Sequence, residues 1–157
     1  MVLRAGPGTG AARARSENSR PVTRIARIPP RPTSLVEKIV LALYVLCFTT
    51  AAAFHAIDLI RWGWLPYTFA PAIMNWFWAL LTVADPLVVL LSLTGRRRTG
   101  LCLALVVMVL DVAANGYALF GLGYPEFAVS LLLQTAFLGF ILGSIGFLWK
   151  RQTPGAC

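Results

Sequence analysis

Four long apolar runs, joined by short polar connections, constrain this chain more than any other feature. A bilayer's hydrocarbon core is about 30 Å thick and takes about 20 apolar helical residues to cross. Segments 36–60, 71–94, 100–121 and 126–149 all reach that length. Inside lipid a crossing segment must satisfy its own backbone hydrogen bonds, so such runs fold as helices. The expected fold is all-α: an integral membrane four-helix bundle, up-down-up-down because the connections are short. Composition points the same way. Of 157 residues 58% are hydrophobic and 13% charged, whereas soluble domains average about 45–50% and about 25%.

The first 35 residues are rich in Arg, Pro, Gly and Ser and hold too little apolar surface to offset the entropy of ordering. They read as a disordered, basic cytoplasmic tail ahead of a membrane domain at 36–150, with a short tail at 151–157. The spacing of Ser34 and Glu37 is that of a capping box, which starts the first helix. The net charge of +8 is concentrated at particular ends of the spans. Arg4, Arg13, Arg15, Arg20, Arg24, Arg27, Arg31 and Lys38 precede or open the first span. Arg96, Arg97 and Arg98 fill the second loop, and Lys150 and Arg151 follow the last span. The other two loops hold only Arg61. The positive-inside rule then places both termini in the cytoplasm. Trp62, Trp64, Tyr67 and Tyr124 would form an aromatic belt on the opposite side. Twelve of the fourteen basic residues are Arg, the usage of a GC-rich bacterium, so the expected location is a bacterial cell membrane. Placed this way, the charge reports topology and a lipid partner and gives no sign of nucleic acid.

Polar residues within the spans are the candidates for function, since a charge at the bilayer centre costs about 2.5–3.5 kcal/mol on insertion scales. Helical rhythm groups them. Asn75, Trp78, Thr82 and Asp85 form one stripe on the second span, and Tyr44, Phe48, Ala51, His55 and Asp58 one on the first. Asp111 and Asn115 share a face of the third span with Met108, while Ser130 and Gln134 line up on the fourth. At about 1.5 Å of rise per residue, Asp111 lies near the midplane, and Asn75, His55, Asn115 and Gln134 about 5–10 Å outward of it. These heights predict a polar cavity in the outer half, closed below by Asp85 and Asp111. Plainer readings stand beside that one. Asp58 has Arg61 three residues on as an interfacial partner. Asp85 abuts Pro86, where it would answer backbone groups freed by the proline. Asn75, Asn115 and Gln134 would serve as interhelical hydrogen bonds, worth about 0.6 kcal/mol each. Asp111 has no basic residue nearby in sequence and carries the strongest functional reading. Gly139 and Gly143 include a small-xxx-small spacing that favours close helix packing or self-association.

The residue inventory excludes several chemistries. One histidine cannot ligate haem from both sides, and Cys47, Cys102 and Cys157 have no paired spacing for disulfide exchange. No ligand set has zinc spacing, and no glycine-rich phosphate loop joins a strand to a helix. Neither a cofactor nor a metal is expected.

Four stretches resemble the EXPERA family of four-helix membrane proteins, which includes sterol isomerases and the sigma-2 receptor. They are FHAID in the first span, ADPLVVLLSL in the second, LALVVMVLDVAANGYALF in the third, and GYPEFAVSLLLQTAFLG entering the fourth. The resemblance spans about residues 40–145. It implies a pocket for a sterol-like or cationic amphiphilic ligand, with a histidine and acids that hold a cation or move protons. By position His55, Asp58, Asp111, Asn115 and Gln134 would be its polar groups. Asp85 departs from the family by abutting the proline, and the His55–Asp58 spacing is shorter than in the isomerase. Three functions follow as expectations. The first is a lipophilic-ligand binding module, or an isomerase-like enzyme, with His55, Asp58 and Asp111 as its acid–base groups and Asn75, Trp78, Asp85, Asn115 and Gln134 around the ligand. The second is a small dimeric proton-coupled transporter using Asp111. The third is a structural or assembly subunit.

Overall fold

The structure, a computed structural model, describes Val2 and residues 33–150. The segment read as a disordered tail therefore lies outside the described residues except for Val2 and its last three positions. So do the 151–157 tail, the arginines from Arg4 to Arg31, and Arg151. The described chain is all-helical, with α1 Leu35–Trp62, α2 Ala72–Leu93, α3 Arg97–Phe120 and α4 Phe127–Lys150. All four are long and apolar enough to cross a membrane.

Local chemistry sets the ends. Ser34 caps α1 by accepting the Glu37 amide at 3.2 Å. The Glu37 carboxylate is buried and pairs with Arg97. Arg97 also donates Nε to the Ser92 carbonyl near the end of α2, at 3.3 Å, where the helix dipole favours a cation. Consequently α3 begins three residues earlier than its apolar run, and the arginines do not fill the second loop, which is only 94–96. Arg98 lies 5.3 Å from the Trp149 ring centroid, so this end of the bundle ties all four helices together.

Successive helices pack side by side, α1 on α2, α2 on α3 and α3 on α4. The seam between α1 and α4 is made differently. Tyr44 and Phe48 of α1 meet Phe137 and Phe140 of α4 with ring centroids 5.5–5.9 Å apart, and the Tyr44 and Ser144 hydroxyls are 3.1 Å apart. The core is apolar where the helices converge, at Leu41, Leu81, Val88, Leu101 and Ile141. The exterior is apolar too: Ile73, Leu80, Val83 and Leu132 are all more than half exposed. Helix α2 runs unbroken through Pro86. On α4, a Cβ at Gly139 or Gly143 would meet nothing within 4 Å.

Among the described glycines, Gly100 comes closest to a neighbouring helix. A Cβ there would stand 2.7 Å from the Ser92 nitrogen and 2.9 Å from the Leu91 carbonyl carbon, which belong to the backbone of α2. Backbone cannot swing aside as a side chain does, so the helices themselves must part. Gly100→Ala should destabilise the protein by about 1–3 kcal/mol, read as a lower melting temperature in detergent. A variant as stable as wild type would show that the two helices are not in contact there.

Candidate functional site

A cavity of about 800 Å³ lies inside the bundle, lined by residues of all four helices and of the loop after α1. It fills the space that the α1–α4 seam does not close. Phe54 on α1 and Leu133 on α4 line it while remaining 65% exposed. The cavity thus opens sideways through the apolar surface between these two helices. Its walls are largely aromatic and aliphatic, with Phe48, Phe127, Phe137, Val107 and Met108 among them.

Polar groups gather at two levels. Deeper in, Asp85 on α2 is 1% exposed and Asp111 on α3 is 6% exposed, near enough for their charges to interact. The Trp78 side chain lies beside Asp111 and lines the same cavity. One oxygen of each carboxylate, Asp85 Oδ2 and Asp111 Oδ1, is buried with no partner. The ion pair formed by Glu37 and Arg97 is elsewhere, at the other end of α1. One turn along α3, Asn115 donates Nδ2 to Gln134 Oε1 on α4, and its own Oδ1 is buried and unpartnered. Burying an unsatisfied polar group costs about 1–3 kcal/mol, and Thr82 Oγ1 and Ser92 Oγ, which do not line the cavity, are buried without a partner as well.

At the mouth, His55 and Asp58 are one turn apart on α1 and are joined by a third residue. The Tyr67 hydroxyl donates to Asp58 Oδ2 at 2.7 Å and lies 3.3 Å from His55 Nδ1. Asp58 forms no ion pair with Arg61; the tyrosine is its partner. Burial lifts the Tyr67 hydroxyl above the ordinary tyrosine range, and its hydrogen bond to Asp58 and the charges of Asp58 and Asp111 add to the rise. A group that holds its proton more tightly when folded stabilises fully below about pH 10, and that contribution falls away as pH climbs towards the folded value.

Asn75 holds this tyrosine's loop in place. Its Oδ1 accepts the Tyr67 amide at 2.9 Å and its Nδ2 donates to the Leu65 carbonyl at 3.1 Å. The loop also packs by rings: Phe69 lies 4.4 Å from Tyr124 and 5.7 Å from Phe127, and Tyr67 lies 5.0 Å from Trp78. Tyr67 and Tyr124 are therefore turned inward, and only Trp62 and Trp64, each 73% exposed, stand outward as a belt would.

Of the residues singled out by helical rhythm, the structure brings His55, Asp58, Trp78, Asp85, Asp111, Asn115 and Gln134 to one cavity. Asn75 is not among its lining, because the loop backbone occupies both ends of its amide. Tyr67 and Phe127 were not foreseen as site residues; an aromatic near a helix end carries no signal that tells a belt from a lid. Among the described residues no group of three or more His, Cys, Asp and Glu could hold a metal ion. What this arrangement can do is receive a cationic head against two carboxylates and a hydrocarbon body against rings.

Asn75→Ala would leave the Leu65 carbonyl and the Tyr67 amide without partners. At about 1–3 kcal/mol the loop should open about 5- to 150-fold more often. Hydrogen exchange at the Tyr67 amide reads this directly, and an unchanged rate would mean that the ring stack alone holds the loop. The chain matches no family model, no curated protein and no solved structure.

Proposed function

We propose that this chain is a multi-pass integral membrane protein that binds a small lipophilic ligand, cationic and amphiphilic, in the cavity between its helices. The observation that carries this reading is the pair of buried carboxylates, each with an unpartnered oxygen, in a cavity whose walls are largely aromatic and aliphatic and whose lining also includes Asp58 and Glu126. A lone cation in hydrocarbon is costly; one held between Asp85 and Asp111 has its charge countered. The apolar exterior favours lipid as the surroundings, because a soluble monomer rarely exposes so continuous an apolar surface. The arginine distribution favours cytoplasmic termini. The resemblance to the EXPERA family favours the same class of ligand, with His55 and Asp58 at the polar rim.

The adjacency of two carboxylates also favours a second reading, proton-coupled transport, in which Asp85 and Asp111 hand over a proton. A thermal-shift screen against sterol-like and cationic amphiphiles separates the two. A ligand at one hundred times its Kd adds about 2.7 kcal/mol of stability. Wild type should gain several degrees with a cationic amphiphile, and Asp111→Asn should lose most of that gain. If no compound shifts either protein, the binding reading fails. Flux driven by a pH gradient in vesicles, abolished by Asp111→Asn, would then establish the transporter.

A further inference from the structure

Asn115 offers the cavity half of an amide. It is 4% exposed, it spends Nδ2 on Gln134, and its Oδ1 is buried without a partner. Asp111, also with an unpartnered Oδ1, stands one turn away on α3, and both line the cavity. Four helical residues are about 6 Å of rise. A ligand that satisfies both must therefore carry two polar groups close together, one cationic and one hydrogen-bonding.

The chemistry of the second group follows from the amide. If the Asn115 and Gln134 amides were both turned over, Asn115 would have an N–H to spare in place of an oxygen. A hydroxyl donates and accepts, so it satisfies either arrangement. A plain long-chain amine meets Asp111 and leaves Asn115 unsatisfied. A sterol-like alcohol meets Asn115 and leaves the carboxylates unsatisfied. Only a molecule with both groups answers Asp111 and Asn115 together.

Resting on the ligand-binding reading above, we propose that the ligand is a long-chain amino alcohol. Its ammonium sits against Asp111, and a hydroxyl on a neighbouring carbon sits against Asn115. Each hydrogen bond reaches about 2.7–3.0 Å, so two groups on neighbouring carbons span the turn between these residues. The alkyl chain leaves between α1 and α4, past Phe54 and Leu133.

The test uses the full chain in lipid nanodiscs and three probes of equal chain length: dodecylamine, 2-aminododecan-1-ol and dodecan-1-ol. Affinities are taken relative to the amount of probe in the bilayer, so that partitioning cancels. In wild type the amino alcohol should bind about three- to tenfold more tightly than the amine, the effect of one hydrogen bond, and the alcohol should bind most weakly. In Asn115→Leu the amino alcohol and the amine should bind alike. The wild-type ratio decides without any variant having to fold. Equal binding of amine and amino alcohol overturns the amino-alcohol assignment and leaves the ligand-binding reading intact. A preference that survives in Asn115→Leu removes Asn115 from the assignment. Binding of neither amine overturns both proposals.

Discussion

Polar side chains enclosed by an apolar shell have only one another, or a ligand, to bond with, and the rest of this structure depends on how that constraint is met. At most positions the chain meets it internally. Glu37 finds Arg97, Asn75 finds the loop backbone, Asp58 finds the Tyr67 hydroxyl, and Asn115 finds Gln134. Asp85 Oδ2 and Asp111 Oδ1 are buried without a partner, as are Asn115 Oδ1, Thr82 Oγ1 and Ser92 Oγ. The two carboxylates lie on adjacent helices, α2 and α3, and both line the cavity. Apolar residues at those two positions would give a more stable bundle. That the chain carries carboxylates there is the physical reason to look for a cation.

The cavity exists because the bundle is closed unevenly. At one end Arg97 and Arg98 tie α3 to α1, α2 and α4, and Gly100 lets the backbones of α2 and α3 touch. Towards the other end α1 and α4 are held apart by the rings of Tyr44, Phe48 and Phe137. Beyond those rings the gap stays open to the apolar exterior. The loop after α1 roofs the space, fixed by Asn75 from α2 and by Phe69 against Tyr124. A molecule arriving from the side would meet Phe54 and Leu133 first and the carboxylates last.

Much of this was legible in the sequence, and the exceptions share a cause. The four helices follow from length and hydropathy, and the three- and four-residue rhythm groups the polar positions that the cavity gathers. Rhythm assigns a face but not a partner. Asn75 is on the same stripe as Trp78 and Asp85, yet its amide is spent on residues 65 and 67. The start of α3 was missed because charged residues read as loop, while Arg97 is helical for the sake of Glu37 and Ser92. Tyr67 was the largest omission. It is nine residues from Asp58, in a segment without periodicity, and only the folded loop brings its hydroxyl between His55 and Asp58.

The central claim, that a cationic head lies against Asp85 and Asp111, is tested most directly at Trp78, which lines the cavity beside Asp111. The chain has five tryptophans, so their indole N–H signals can be followed separately by nuclear magnetic resonance during titration with dodecyltrimethylammonium, with dodecan-1-ol as the neutral control. The account predicts that the cation moves the Trp78 signal, leaves those of Trp62 and Trp64 in place, and does so at concentrations where the alcohol has no effect. A Trp78 signal that stays still, or that moves equally with the alcohol, would contradict it.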